Sequence, residues 1–311
     1  MKQLFRCALG LLVITLSACS LIERPFTPKI TARSAESTVF GERQLTTISQ
    51  PNYVKEEVVY VVESEMELAL TAKLLFEEGV LMFYYDDRDF DLNVTYDYLD
   101  AIMIHAFRFS MGTKTYTQGT QVIKALDYVK IELFNDQREV VDDHIDAFRA
   151  TYLSDSDWRT QIREINKGLV LETKYDTTYL DVDLSAITDH TSFEAYGLFE
   201  FDTAVCSGYA KAFLGVAEAV GVPALVVSSR AMNHAWNLVY DGSAWLFVDS
   251  TYNDPIPDKK GRVLTTYLLV EESALVAGIN DQEGHVFDAG EGNGLNAQEY
   301  LSFAQYLYPT P

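Results

Sequence analysis

Basic side chains are scarce in this sequence. It contains 24 lysine and arginine residues against 46 aspartate and glutamate residues, which gives a formal net charge of −22 at pH 7. Proteins that bind nucleic acid or anionic lipid headgroups need basic patches on their surface, so the charge argues against both classes. It predicts an acidic soluble surface. A basic partner, or a wall environment rich in cations, is the alternative interpretation.

Long apolar runs are missing beyond the N-terminus. Lys2 and Arg6 flank the start of an apolar run at 8–16, which has the length of a signal-peptide core and is too short to span a bilayer. The run ends in the letters LSAC, which resemble the lipobox of bacterial lipoproteins. This predicts a signal peptide over 1–18 and lipidation of Cys19. The protein would then be anchored by lipid on the extracytoplasmic face of a bacterial cell membrane. An ordinary secretory peptide, or a tethered N-terminus with an incidental cysteine, is the alternative.

Cysteine occurs only three times. Cleavage of the signal peptide would remove Cys7, and lipid would cap Cys19, so Cys206 is left without a partner for an intrachain disulfide. Exported proteins usually pair their cysteines. Cys206 is therefore either an inert buried thiol or a functional one, and its neighbours in the sequence must decide between the two.

Metal-ligand spacing is also absent. The chain has five histidines, and no H-x-x-x-H pattern occurs. His105, His144, His190 and His285 have no cysteine, aspartate or histidine at ligand spacing, and each is interpreted as a surface or core residue. The sequence thus predicts no metal and no cofactor.

The composition divides the chain into segments. Residues 19–54 are rich in serine, threonine and proline, and they predict a flexible tether. Residues 55–140 predict a small α/β domain of unknown role, and residues 141–311 predict the domain that carries the chemistry. In the small domain we expect strands at 58–62, 80–85 and 128–134, and helices at 65–78 and 95–109.

Cys206 lies where a helix is expected to begin. The stretch AVCSGYAKAFLGVAEAVGV, residues 204–222, has apolar residues at helical spacing, and Gly221 and Pro223 end the pattern. At a helix N-terminus, unpaired backbone N–H groups and the helix dipole favour a negative charge. A thiol at this place is favoured as the nucleophilic thiolate. This distinguishes Cys206 from an ordinary core cysteine.

A hairpin further along predicts the partners of the thiol. The Asp-Gly turn at 241–242 separates two runs rich in β-branched and aromatic residues. A turn centred there pairs Tyr240 with Ser243, and the same register pairs His234 with Asp249. Their Cβ atoms would be about 4.5–5.5 Å apart. A carboxylate at this distance can hold one ring nitrogen of the histidine and leave the other facing a nucleophile.

These residues resemble the transglutaminase-like superfamily, a branch of the papain-like cysteine fold. The resemblance lies in VCSGYA and in NHAWNLVYDGSAWLFVDSTYNDP, with cysteine, histidine and aspartate in the family's order. It implies an α+β core in which the helix bearing the cysteine packs on an antiparallel sheet bearing the histidine and the aspartate. Trp236 and Trp245, on the face of His234, are interpreted as core or pocket wall rather than as a ligand platform.

The resemblance also implies roles. Cys206 would be the nucleophile, His234 the general base and acid, and Asp249 the residue that orients the histidine. The backbone N–H of Cys206 would serve the oxyanion hole, with Tyr196 as a candidate second donor. Two departures from the family pattern are Ser250, where proline is common, and Tyr252, where tryptophan is common. Both are expected beside Asp249 without touching the triad.

The implied activity is cysteine-dependent chemistry on amide bonds of peptides or proteins, cell-wall peptides included, through a thioester. Resolution of the thioester by water makes the protein a peptidase or amidase, and resolution by an amine makes it a transglutaminase. Both remain open, and hydrolysis is favoured because no amine site is evident. A non-enzymatic surface scaffold or wall-binding protein with the same fold is the alternative.

Overall fold

The computed structural model describes residues 33–34, 59–85, 89–105, 107–118, 121–133, 137–180, 182, 187–290 and 292–309. The predicted signal peptide, Cys19 and nearly all of the predicted tether lie outside these ranges, and they stay predictions. Among the described residues, no helix has both the length and the apolar character needed to cross a membrane.

The N-terminal part is a five-stranded sheet with two helices. Its strand order is β1-β2-β3-β5-β4, with β2 and β3 parallel and the other neighbours antiparallel. The bounds are β1 (Arg33–Ser34), β2 (Val59–Val61), α1 (Glu65–Glu77), β3 (Met82–Tyr85), α2 (Leu92–Asp100), β4 (Phe107–Gln118) and β5 (Gln121–Leu133). Strand β1 lies within the predicted tether and pairs with β2.

Most of the elements expected in this part are confirmed. Helix α1 begins where the Ser64 side chain accepts the backbone N–H of Glu67 at 3.2 Å. The predicted helix at 95–109 is wrong in its second half, because α2 ends at Asp100 and Phe107 already pairs with Leu133 across the β4–β5 ladder. The β4–β5 ladder joins residues that are far apart in the sequence, and this pairing outweighs the local helical pattern.

The C-terminal part places helices against an antiparallel sheet of order β11-β10-β9-β8. This confirms the predicted α+β class. The bounds are α3 (Arg138–Tyr152), α4 (Trp158–Glu172), β6 (Lys174–Tyr175), α5 (Ala195–Phe201), β7 (Thr203–Ala204), α6 (Cys206–Ala219), β8 (Ala224–Ser229), β9 (His234–Tyr240), β10 (Trp245–Val248), β11 (Leu268–Val270), α7 (Glu272–Ala277) and α8 (Ala297–Leu307). Strands β6 and β7 form a separate parallel pair.

Helix α6 is buried on nearly every side. It lies between α3, α4 and α5 and the β8–β9 face of the sheet, and Phe213 and Leu214 are fully buried there. An apolar helix enclosed in this way has a fixed axis, so the residue at its N-terminus has a fixed position. Cys206 is that residue.

A second hydrophobic cluster joins the N-terminal part to the other face of the same sheet. It includes residues of α1 and α2 together with Trp236, Phe247 and helix α8. Tyr98 packs on Phe303 with ring centroids 4.8 Å apart, and the N–H of Val226 donates to the carbonyl of Ala101 at 2.8 Å. Trp236 is 1% exposed, which confirms its interpretation as core. The division of the chain near residue 140 stays a prediction.

Candidate active site

Cys206 is the first residue of α6, and its side chain is partly exposed. Val205 before it is extended, so the backbone N–H groups of the first helical turn have no intrahelical acceptor. The Ser207 hydroxyl donates to the carbonyl of Phe193 at 3.1 Å and ties the helix start to the loop before α5. The thiol therefore lies at the positive end of a helix whose position is fixed by its packing.

Gly208 explains why the motif has a glycine two residues after the cysteine. A Cβ atom at this position would lie 2.6 Å from the carbonyl oxygen of Ser192 and 2.8 Å from the Cβ of Ala204. The Ser192 oxygen is itself held by the N–H of Val205 at 2.8 Å, so it cannot withdraw without losing that bond. Only glycine lets the helix start approach this loop so closely.

We expect Gly208→Ala to lower the free energy of unfolding by about 1–3 kcal/mol, because a methyl group is forced against a backbone carbonyl. Gly215→Ala, in the same helix, is the matched control. There the closest atom to the Cβ would be the side-chain tip of Ile145, at 2.9 Å, which can shift, and Ile104 would lie at an ordinary contact distance of 3.6 Å. Urea unfolding of both variants measures the difference. Equal stabilities would contradict this account of the glycine.

His234 begins β9, and its side chain is 9% exposed. Its Nε2 atom lies 2.7 Å from Oδ2 of Asp249, which leaves Nδ1 for the thiol. Burial alone would lower the pKa of His234, but the charge of Asp249 and hydrogen bonds with Asp249 and Cys206 raise it to about 10. The contact with Asp249 therefore favours the imidazolium form of the ring at neutral pH.

The predicted hairpin register is wrong by two residues. Tyr240 pairs with Trp245 instead of Ser243, across a four-residue loop. The Oδ1 atom of Asp241 accepts the N–H groups of Ser243 and Ala244, each at 2.9 Å, and so stabilises the longer turn. A shift of two keeps every side chain on its predicted face.

Asp249 reaches His234 by a different route from the one predicted. Strand β10 ends at Val248, and Asp249 starts a turn in which its carbonyl accepts the N–H of Asn253 at 3.1 Å. The N–H of Asp249 donates to the carbonyl of Tyr267 at 2.9 Å. The turn places the Asp249 carboxylate within hydrogen-bonding distance of the His234 imidazole, although the two residues are not cross-strand partners.

The Asp249 carboxylate is fully buried and accepts three N–H groups. Oδ2 receives His234 at 2.7 Å and His285 at 2.8 Å, and Oδ1 receives the backbone N–H of Tyr252 at 2.9 Å. Burial alone would raise the pKa of Asp249. The positive charge of His234 and the hydrogen bonds of both histidines outweigh burial and hold the pKa well below its usual range. Asp249 is therefore ionised throughout the physiological range.

His285 is the residue that sequence reasoning missed. It was interpreted as an isolated surface or core histidine, but it is fully buried and hydrogen-bonded to the same oxygen as His234. The rings of Trp236 and Tyr267 each lie 4.8 Å from it by centroid. No motif surrounds it in the sequence, and it stands 36 residues after Asp249. Only the fold reveals the contact.

Among the described residues, His234, Asp249 and His285 form a group whose ligating atoms all lie within 4.8 Å of one another, close enough in principle to hold a metal ion. Both nitrogens lie at hydrogen-bonding distance from one carboxylate oxygen, so direct hydrogen bonds account for the arrangement. The other histidines lie elsewhere; His144, for example, pairs with Glu200 at 2.8 Å.

One expectation about the residues near Asp249 is wrong. Tyr252 was expected not to touch the triad, but its ring lies 4.8 Å from that of His234 by centroid and its N–H bonds to Asp249. Tyr196 packs on the ring of Phe201, and its role as second oxyanion donor stays a prediction. The pKa values of Tyr175 and Tyr252 are both raised, mainly by burial, with contributions from Asp249 and Cys206.

A cleft of about 580 Å³ opens beside His234. Tyr175 and Tyr252 line it near the histidine, and the loop 255–264 forms another part of its wall. A cleft that combines apolar walls with a few polar groups is the usual form of a small-molecule or peptide site. A substrate held there would lie against the imidazole.

Comparison with known proteins gives a family match and distant structural neighbours. Residues 148–250 match the family model of the transglutaminase-like superfamily. A crystal structure of a TGase is 17% identical, with a TM-score of 0.33, over 57% of this chain and 52% of that one. A "putative cysteine protease" from Cytophaga hutchinsonii is 12% identical, with a TM-score of 0.28, over 49% of this chain and 67% of that one. The chain thus spans about half the length of the TGase. No curated protein matches it.

The matched segment contains Cys206, His234 and Asp249, and it ends before His285 and the cleft loop 255–264. The order of the three residues and the helix-on-sheet arrangement follow the predicted pattern. Over residues 148–250, this chain therefore resembles the transglutaminase-like superfamily, as its sequence motifs predict.

Proposed function

We propose that this protein is a cysteine-dependent enzyme that acts on amide bonds of peptides or proteins. One observation carries the proposal: Asp249 holds Nε2 of His234 at 2.7 Å, so that the other ring nitrogen serves the thiol of Cys206. A thiol at a helix start, an imidazolium and a buried orienting carboxylate are the components of nucleophilic catalysis by cysteine.

In acylation, the Cys206 thiolate attacks the amide carbonyl carbon, and the carbonyl oxygen becomes an oxyanion. The N–H groups at the start of α6 are suited to stabilise it. His234, already protonated, gives its proton to the leaving amine as the C–N bond breaks. The products of this half-reaction are a thioester on Cys206, a free amine and a neutral imidazole.

In deacylation, neutral His234 takes a proton from water or from a second amine, which attacks the thioester. Water yields a carboxylic acid and makes the reaction a hydrolysis. An amine yields a new amide and makes it a transamidation. The thiolate–imidazolium pair is restored in both cases. We favour hydrolysis, and we include lipid anchoring through Cys19 at an extracytoplasmic membrane surface in the proposal.

The test combines thiol reactivity with product masses. The full chain is treated with iodoacetamide at pH 6, and the peptide containing Cys206 is quantified by mass spectrometry. We expect labelling at least about 10-fold faster than for glutathione, since an adjacent imidazolium favours the thiolate. The chain is then incubated with a peptide mixture, with and without a labelled primary amine, and products are sorted into hydrolysed and amine-linked species.

Each outcome has a meaning. Hydrolysed products alone support a peptidase or amidase, and amine-linked products support a transglutaminase. A Cys206 thiol that reacts no faster than glutathione, together with no product from any peptide, would overturn the proposal. That result would favour a non-enzymatic surface scaffold or wall-binding protein.

A further inference from the structure

A loop beside the cleft at His234 has a charge balance unlike that of the whole chain. The loop PIPDKKGRVL, residues 255–264, contains two lysines and one arginine against one aspartate. Lys259 and Arg262 from this loop line the cleft. The whole chain, in contrast, has nearly twice as many acidic as basic residues. Two of the three cations of this loop therefore lie on a cleft that is also lined by the proposed catalytic histidine.

Neither of these cations is neutralised within the described structure. Lys259 and Arg262 are exposed, and no ion pair or hydrogen bond of their side chains occurs among the described residues. Other basic residues do find acids: Lys73 pairs with Glu218, for example, at 2.9 Å. Two unpaired cations in so acidic a protein are available to an external anion.

Two acids also line this cleft. Asp254 accepts the hydroxyl of Tyr209 at 2.5 Å, and burial raises the pKa of its carboxyl to about 6. Glu283 is exposed. Since neither acid forms an ion pair with Lys259 or Arg262 in the described structure, both cations stay available to an external anion.

We propose that this cleft selects amide substrates that carry a carboxylate group, which Lys259 and Arg262 bind. Leu180, Ile256 and Leu264 supply apolar lining for the body of such a substrate. The inference rests on the proposed function, since it names the substrate class of the same site. It makes acidic peptides the preferred substrates and neutral or basic peptides poor ones.

The test compares two alkylating reagents that are similar in size and differ in charge. Iodoacetate is an anion and iodoacetamide is neutral, and both react with the Cys206 thiol. The ratio of their rate constants reports the electrostatic potential at the Cys206 thiol, to which charges on the adjoining cleft contribute, and it does not require that any substrate be turned over. Rates are measured on the full chain at low salt, by mass spectrometry of the peptide that contains Cys206.

We expect Lys259→Gln and Arg262→Gln each to lower the iodoacetate-to-iodoacetamide ratio by about two- to threefold, the order of effect that one nearby charge has in a largely aqueous medium. At 0.5 M salt the difference should nearly vanish, because screening is then strong. Lys260→Gln is the matched control: it removes the same charge from the same exposed loop, but Lys260 is not part of the cleft lining. Its effect should be clearly smaller.

A binding measurement completes the test. Dansylated pentapeptides with a central glutamine, flanked by either glutamates or glutamines, are titrated onto the Cys206→Ala chain. Tighter binding of the acidic peptides, lost in Lys259→Gln and Arg262→Gln, supports the proposal. An unchanged alkylation ratio, an equal fall in Lys260→Gln, or equal binding of the two peptides would overturn it. An unreactive thiol would instead count against the proposed function, so the two failures are distinguishable.

Discussion

Cys206→Ala is expected to reduce amide-bond turnover by about 10⁴-fold or more, because the covalent route is lost with its nucleophile. His234→Ala should reduce it by about 10²–10⁴-fold, the usual contribution of a positioned acid and base. Since thiol and imidazole act as one unit, the double variant should be no worse than Cys206→Ala alone. Initial rates with the peptide found to be the best substrate measure all three.

His144→Ala is the control for the histidine substitution. His144 also pairs with a carboxylate, that of Glu200 at 2.8 Å, but it contacts no residue of the proposed triad in the described structure. It should keep close to wild-type activity. Full activity in Cys206→Ala, or equal losses in His144→Ala and His234→Ala, would remove these residues from the catalytic role.

Asp249→Asn is expected to lower kcat/KM by about 10²–10⁴-fold and the free energy of unfolding by about 1–3 kcal/mol. Three N–H groups converge on the two oxygens of Asp249, whereas asparagine offers one oxygen and an NH₂ group. Either orientation of the amide turns a donor towards a donor in a fully buried site. The pKa of His234 should also fall from about 10, because Asp249 raises it.

Asp254→Asn is the matched control for Asp249→Asn. It tests whether the loss of stability depends on the number of donors that the carboxylate accepts. Among the described residues, the Asp254 side chain accepts one hydrogen bond, from the Tyr209 hydroxyl at 2.5 Å, and an asparagine oxygen can accept it equally well. Its cost to stability should therefore be smaller. Urea unfolding gives the two stabilities, and NMR titration of His234 gives its pKa. An Asp249→Asn chain as stable and as active as the wild type would refute the shared-carboxylate arrangement.

Local patterns predicted the half of the site that depends on local structure. The start of α6 follows from the apolar spacing after Cys206 and from the glycine and proline that end the pattern. Secondary structure of this kind is encoded within a few residues, so one sequence suffices. The need for glycine at 208 could not be read from the sequence, because it arises from the approach of a loop that precedes α5.

The contact between His234 and Asp249 was predicted for an incorrect reason. The Asp-Gly dipeptide signals a turn. The side chain of Asp241, however, stabilises a four-residue loop, so the register shifts by two residues. The face of each residue depends only on parity, which the shift preserves. The exact partner depends on loop length, which the dipeptide does not fix.

His285 and the cleft could not be predicted, since both depend on long-range packing. His285 comes to Asp249 from a segment that has no regular secondary structure and no motif. The basic loop at 255–264 is visible in the sequence as a local excess of lysine and arginine. Its relation to the thiol becomes apparent only when the fold brings it to the same cleft as His234.

The cluster that joins α1 and α2 to α8 has a consequence for biosynthesis. Helix α8 follows strands β8 to β11 in the sequence, and the Tyr300 hydroxyl accepts the backbone N–H of Ser228 in that sheet, with an N···O distance of 2.9 Å. During synthesis, the strands of the sheet therefore leave the ribosome before the helix that packs on them. Until helix α8 follows, the part of the apolar sheet face that it covers stays exposed. The candidate site therefore reaches its final packing only after residue 307 has been synthesised.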